Sequence, residues 1–502
     1  MKLNDILSKQ AAAQPDSIAI SDTTGLVWSF AALNNAAKAL AVELQQAGVQ
    51  PGDRVMVLVE NCAPAIAAVF ACGHIGAAVI PINARQTMAE INRVIDHATP
   101  AAILAATSVS ADAQSHAAQL GSQTISGIFG TLELTLREST PDPTMHDVAV
   151  VLYTTGTTGI PKGVMLTHSN VIFGGTVSAN IRGITRHDLV YGVLPISHVF
   201  GLTSVLVACV LSGAHIQLVP RFDPARLYHA LNSGITVLAA VPQMLAKLMH
   251  YTETQGHTTL PSSSLRFVSA GAAPLDLDWK RRTEAFFALP VQNGYGMTET
   301  SAGICVTTHR ESNSDISVGQ PLPGVEVILD TTVTGSDGET GEIIVRGGNV
   351  MKGYYRHPEA TAEVLSPDGW LRTGDLGLFD SQQNLHIKGR SKELIIHGGF
   401  NIYPPEVEAA LNDHPGVIQS AVIGKSENGD ELVCAFVEVA ADNPPDTNEL
   451  HAYIAQRLAP YKRPSLMVLT ERLPATVTGK ILKHRLLDDV IPLQQSTTTG
   501  LH

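Results

Sequence analysis

Cysteine is scarce and scattered. Five occur in 502 residues, at Cys62, Cys72, Cys209, Cys305 and Cys434, and none falls at metal-ligand spacing. They read as reduced core thiols of a cytoplasmic protein. Long apolar runs are missing too. The longest, around Leu202 to Leu211, is far short of a membrane span, so no integral membrane contact is expected. The opening residues MKLNDILSKQ place Asn and Asp where a secretory leader needs apolar sequence. No basic run exceeds Lys280-Arg281-Arg282, and the net charge is −13, which argues against a nucleic-acid surface or docking on anionic lipid. No G-x-G-x-x-G occurs, so a dinucleotide site is not expected. No repeat stands out.

What is present suits a large folded chain. Hydrophobic residues make up 44% and charged residues 16%, and the length suggests about three or four domain-sized units. Up to residue 150, helix-period and strand-like segments alternate. Ser29 can cap a helix from Phe30 to Gln46 with Phe30, Leu33, Ala37, Leu40 and Leu44 on one face. Val55 to Val59, Ala77 to Ile80 and Ala101 to Ala105 read as strands, and Ala63 to Ile75 as a helix. This rhythm predicts an α/β fold with parallel, helix-flanked sheets. Further strands are expected at 189–194, 215–219, 237–241, 265–270 and 291–292. From about Val325 the pattern turns strand-rich with Gly turns, which suggests a small β subdomain. A new unit starts after Gly389-Arg390 and carries Val407 to Leu411, Ser420 to Ile423, Val433 to Val439 and a helix near Glu449 to Leu458. The expected division is 1–390 for a large N-terminal domain and 391–502 for a small α+β C-terminal domain.

The central stretch is Tyr153-Thr154-Thr155-Gly156-Thr157-Thr158-Gly159-Ile160-Pro161-Lys162-Gly163, flanked by apolar runs. Glycines let a backbone turn and present N–H groups to an oxyanion. Thr hydroxyls add donors and Lys162 adds a mobile charge. It reads as a loop that grips polyphosphate; a Thr/Gly surface turn is the competing local reading. A Walker A loop is excluded, because Lys162 sits between Pro161 and Gly163. Asn293-Gly294-Tyr295-Gly296-Met297-Thr298-Glu299 follows a strand candidate. There Tyr295 can stack on a purine, Thr298 can donate to phosphate, and Glu299 can hold Mg²⁺. Small residues at Gly271, Ala272 and Ala273 leave room for a nucleotide edge and an acyl group. In Arg372-Thr373-Gly374-Asp375, Asp375 can accept both ribose hydroxyls. Each of these alone also reads as a Gly-rich turn with a solvated polar residue, and for Asp375 in isolation that reading is favoured.

Taken together and in this order, the stretches resemble the adenylate-forming (AMP-binding) superfamily, and within it the acyl-CoA synthetases and fatty-acid or aryl-acid CoA ligases. Gly389-Arg390, and Pro474-Ala475-Thr476-Val477-Thr478-Gly479-Lys480, complete the set. The resemblance implies that a carboxylate attacks the α-phosphorus of MgATP to give acyl-AMP and pyrophosphate, and that CoA then takes the acyl group. It implies that Thr154, Thr155, Gly156, Thr157, Thr158, Gly159 and Lys162 hold phosphate. It places Asn293, Gly294, Tyr295, Gly296, Met297 and Thr298 around AMP, with Asp375 and Arg390 on ribose. Lys480 would be the catalytic lysine and Lys392 the hinge about which the small domain rotates. Gly398, Gly399, Phe400 and Tyr403 would face CoA, and His198 would lie beside the acyl carboxylate. The acyl pocket would be formed by His198, Phe200, Val241, Gly271, Met297 and Gly303. Acetylation of Lys480 by a lysine acetyltransferase would remove the charge needed for the first step.

The segments expected to line the acyl pocket contain no Arg or Lys. A free second carboxylate is costly there without a cation, so a medium- or long-chain fatty monocarboxylate is expected first and an aryl or cinnamate-like acid second. A malonate- or oxalate-type diacid is the further alternative, through Lys247 or Arg221. A separate carrier protein is the alternative acceptor to CoA.

Overall fold

The structure, a computed structural model, describes every residue except 155–161, 261–262, 272–274, 276, 334–335, 337, 399, 428–429, 440–443, 476–480 and 490–502. The N-terminal part is built on two large sheets. The first has eight strands, in the order Gly353–Tyr354, Lys162–Thr167, Val148–Thr154, Ala78–Asn83, Arg54–Val59, Ala102–Ala105, Gly130–Leu136 and Gln123–Gly127. The second has nine, and its centre is the parallel run Val291–Tyr295, Phe267–Gly271, Val237–Ala240, Leu189–Gly192 and His215–Leu218.

One apolar core joins the two sheets through helices. The helix Ala63–Ile75 is buried at every residue but His74, as expected for a helix apolar all round. The helix Phe30–Gln46 packs beside it with the predicted face inward, and Ser29 caps it by accepting from the Ala32 N–H at 3.2 Å.

A four-stranded antiparallel sheet follows, made of Val325–Asp330, Gly341–Gly347, Leu371–Phe379 and Leu385–Arg390. This is the small β subdomain. The C-terminal unit has its own core. Val417–Glu427 and Asp430–Val439 pair antiparallel, Leu466–Thr470 adds in parallel, and the helices Pro404–Asn412 and Thr447–Ala455 bring Val407, Leu411, Leu450 and Ile454 onto the sheet. The chain is therefore α/β, a large N-terminal domain followed by a small α+β one.

Two local expectations need correction. Val148–Thr154 and Lys162–Thr167 pair antiparallel, with Thr154 opposite Lys162. The connection is too short for the crossover that parallel strands require. The strand expected at 291–292 runs on to Tyr295, because Gly294 pairs with Gly271 on the neighbouring strand. Three of the seven residues of the expected nucleotide motif are thus strand.

Candidate active site

The two adjacent strands Phe267–Gly271 and Val291–Tyr295 end side by side, and the candidate site is built on these ends. Tyr295 donates its hydroxyl to Asp375 Oδ2 at 2.6 Å. Asp375 lies directly opposite Arg390 in the antiparallel sheet, and Arg390 Nε is 3.3 Å from Asp375 Oδ1. The Asp375 N–H bonds to Thr373 Oγ1 at 3.1 Å, which fixes the loop carrying the carboxylate. Asp375 is only 7% exposed. Burial, then the negative charge of Asp375, holds the Tyr295 phenol well above its ordinary pKa, so it stays a donor.

Beyond Tyr295 the chain turns sharply. A Cβ on Gly296 would stand 1.5 Å from the Ala302 carbonyl oxygen, so only glycine can occupy that position. Ser301 and Ala302 have φ of 51° and 95°, left-handed values that cost energy in non-glycine residues. The turn carries Met297, Thr298 and Glu299, and it is braced by Ser301 Oγ donating to the Asn349 carbonyl at 2.8 Å. Asn293 is buried with its amide on the Ser317 carbonyl at 2.9 Å, so its side chain holds the strand in place.

Glu299 is 8% exposed. Its Oε1 accepts from Tyr354 Oη at 2.9 Å, and the face of the Tyr354 ring meets Lys162 Nζ at 4.8 Å. Burial pushes the Glu299 carboxyl above its usual range, and the Tyr354 bond opposes that shift. Apart from its own backbone N–H, the carboxylate has no other described donor. Among the described residues no group of three or more His, Cys, Asp or Glu could hold a metal. A single hard carboxylate of this kind fits Mg²⁺ that brings phosphate and water as its other ligands.

His198 was expected beside the acyl carboxylate. Its Nδ1 accepts from the Phe200 N–H at 3.2 Å, so a neutral ring carries its proton on Nε2. The Phe200 ring edge comes within 3.3 Å of where a Cβ on Gly271 would stand, which joins two of the predicted pocket residues. Val241, Met297 and Phe200 pack against the same apolar core. Gly303 lies under Leu322, whose Cδ1 would be 2.6 Å from an added Cβ.

In the small domain, Lys392 is exposed on the short turn Ser391–Glu393, two residues after Arg390. Gly398 has φ of 57° and bonds Asp430 through its N–H. Phe400 is 53% exposed and stacks on Tyr461 at 4.4 Å. Tyr403 precedes the helix Pro404–Asn412. Thr155, Gly156, Thr157, Thr158, Gly159, Ala272, Ala273, Gly399 and Lys480 lie outside the described residues. What flanks Lys480 is described: Ala475 bridges Ile481, and the Leu482 N–H bonds to the Pro474 carbonyl at 2.8 Å.

Three residues that sequence reasoning did not single out belong here. Asn61 donates to the Gly192 and Leu194 carbonyls at 2.9 Å each and accepts from the Ile196 N–H at 3.1 Å, which pins the loop before His198. Tyr354 connects Lys162 to Glu299. Arg182 places its guanidinium Cζ 5.7 Å from the Phe200 ring centroid. Lys247 is exposed, and Arg221 is committed to Glu60 at 2.8 Å and Asp112 at 2.7 Å.

The fold defines a class: a large α/β domain with paired strand ends around a buried carboxylate, followed by a small α+β domain. The family model described as AMP-binding enzyme matches residues 7–355, and that described as AMP-binding enzyme C-terminal domain matches 406–480. The chain is 33% identical to the long-chain-fatty-acid–CoA ligase of Bacillus subtilis (strain 168), over 97% of this chain and 94% of that one. It is 35% identical to a feruloyl-CoA synthase of Amycolatopsis, over 91% and 93%. Its structure resembles that of O-succinylbenzoate coenzyme A synthetase from Bacillus subtilis with ATP and magnesium, at a TM-score of 0.83 and 31% identity, covering 96% of this chain and 99% of that one. The chain belongs to the AMP-binding enzyme family. It is an AMP-forming acid–thiol ligase, an ATP-dependent acyl- or aryl-CoA ligase with a carboxylic acid, ATP and CoA as substrates. Among the described residues no helix is long and apolar enough to cross a membrane.

Proposed function

We propose that the chain activates an acid with an extended apolar body, a medium- or long-chain fatty chain ahead of an aryl one. It forms an acyl-AMP and then an acyl-CoA thioester. The observation that carries this reading is the Asp375 carboxylate, held between Arg390 and the strand-end Tyr295, with buried Glu299 in the turn just beyond Tyr295.

In the first half-reaction the acid's carboxylate oxygen attacks the α-phosphorus and pyrophosphate leaves. Asp375 and Arg390 hold the ribose. The Tyr295 ring, fixed by its hydroxyl, flanks the purine beside Gly271, Ala272 and Ala273. Lys162 and the Thr154 to Gly159 loop hold phosphate. Glu299 would hold Mg²⁺, which supplies charge neutralisation on the phosphates. Lys480 offsets the repulsion between attacking carboxylate and phosphate, and acetylation there would silence this step. His198 lies beside the acyl carboxylate, with Phe200, Val241, Gly271, Met297 and Gly303 around the acyl body. The mixed anhydride needs no protein nucleophile. In the second half-reaction the domain after residue 390 turns about Lys392, withdraws Lys480 and presents Gly398, Gly399, Phe400 and Tyr403 to CoA. The five unpaired, buried cysteines support a reducing, cytoplasmic setting.

The test is pyrophosphate release with ATP, Mg²⁺ and fatty, aryl and short dicarboxylic acids, each with and without CoA. AMP and a thioester formed only with CoA support the reading. Release without any thioester would point to a carrier protein as acceptor. Silence with every acid would refute the reading.

A further inference from the structure

Arg182 follows the helix His168–Ile181 and has no part in the reaction as proposed. Its backbone carbonyl is held by Arg266 Nη1 at 2.9 Å, and its side chain turns inward. Nη1 donates to the Ser204 carbonyl in the π-helix Phe200–Val207. Wide helical turns of this kind free carbonyls, and they cluster at functional sites. Satisfying one carbonyl takes one N–H, yet a guanidinium has five. The remaining donors have no described partner, and no described carboxylate pairs with the group. Burial pulls the Arg182 pKa down to about 10.

A second observation comes from the facing strand. Ser269 is 6% exposed and its hydroxyl has no hydrogen-bond partner among the described residues. Strand alternation puts it on the face of Gly271, the face that meets Phe200, while Val268 and Ala270 enter the core on the other side. Thr203 Oγ1, in the same π-helix as Phe200, is also buried without a partner. Unpaired polar groups in an apolar wall are costly unless something fills them.

We propose that Arg182 receives a second, remote carboxylate, so that the acid this enzyme activates is an elongated diacid whose body lies along the Phe200 ring. The proposal rests on the acyl-CoA ligase reading above and names its substrate class. The Phe200 ring lies against both the Gly271 position and Arg182, which puts the guanidinium within about 10 Å of the strand end, a span that about six to eight carbons between carboxyls can reach. Arg matches a carboxylate bidentately, and a buried pair of this kind discriminates strongly against a neutral isostere.

Suberate, monomethyl suberate and octanoate separate the possibilities, because chain length stays near constant while the distal charge changes. Pyrophosphate release would be measured for the wild type, Arg182→Gln and Arg182→Lys. The wild type is expected to favour suberate over its half-ester by roughly 10- to 100-fold in kcat/KM. Arg182→Gln should erase that preference through KM, with kcat little changed, and Arg182→Lys should restore part of it. Thermal melts with and without MgATP report whether each variant is folded. If Arg182→Gln does not fold, the wild-type ratio of diacid to half-ester decides the matter. A wild type that prefers octanoate or the half-ester overturns the proposal and leaves the ligase reading standing. No release from any acid, here or in the wider panel, overturns both.

Discussion

Replacing Tyr354 by Phe changes one atom at the carboxylate expected to hold magnesium. The ring stays, so its contact with Lys162 is kept, and only the 2.9 Å hydrogen bond to Glu299 is lost. Burial already holds the Glu299 carboxyl above its ordinary pKa, and the Tyr354 bond favours the ionised form. Removing a hydrogen bond to a charged group costs about 1.5–3 kcal/mol. Losing this bond disfavours the ionised form and so raises the Glu299 pKa further. Tyr354 itself is held protonated by burial and by the neighbouring Glu299 charge, so it remains a donor across the assay range. The proposed role needs Glu299 ionised, so the acid limb of the pH profile for pyrophosphate release should move to higher pH in Tyr354→Phe. The magnesium concentration needed for half-activity should rise at neutral pH, and activity should recover toward pH 9. An acid limb that stays in place, with an unchanged magnesium requirement, would refute the role given to Glu299.

Three further outcomes are expected. A carboxyl with a raised folded-state pKa lends stability that is full below its unfolded pKa and is lost as pH rises through the folded one. Glu299→Gln should therefore melt higher than wild type at neutral pH, converge with it in acid, and lose pyrophosphate release; a lower melting temperature at pH 7.5 would contradict this. Asn61→Ala removes three buried hydrogen bonds beneath the His198 loop and leaves two carbonyls and one N–H unpaired, a loss of about 2–4 kcal/mol. It should raise KM for the acid far more than KM for ATP, and equal effects on both would count against a local role. Lys480→Ala should block adenylate formation and spare thioester formation from supplied acyl-AMP. Equal loss of both steps, or full activity after stoichiometric acetylation of Lys480, would remove the roles assigned to it.

Much of the scaffold was legible because it is written in local periodicity. The cap at Ser29, the apolar face of Phe30–Gln46 and the Ala-rich helix Ala63–Ile75 each follow from neighbouring residues. The Tyr-Gly-Met-Thr-Glu motif was legible as a glycine-dependent turn after a strand, and Gly296 meets a real steric demand there. Val407 to Leu411 was visible as an apolar segment, and Pro404 at the first turn marks it as a helix. The contacts that escaped are long-range. Nothing near Asn61 announces a bond to Leu194, and nothing near Tyr354 announces Glu299. Nothing in the sequence around Arg182 marks it out. Only the packing of the preceding helix against the π-turn shows that its side chain faces inward.

Arg390 is paired with Asp375 and stands two residues before Lys392. Under the proposed pivot at Lys392, the fulcrum sits on the short turn that directly continues the strand carrying the ribose clamp. A nucleotide that tightens the clamp then biases the orientation of everything downstream, and by thermodynamic reciprocity that orientation alters how firmly nucleotide is held. Departure of AMP and return of the small domain would be two readings of a single equilibrium, and turnover could be paced by that reset, with the bond-making steps running faster than the cycle.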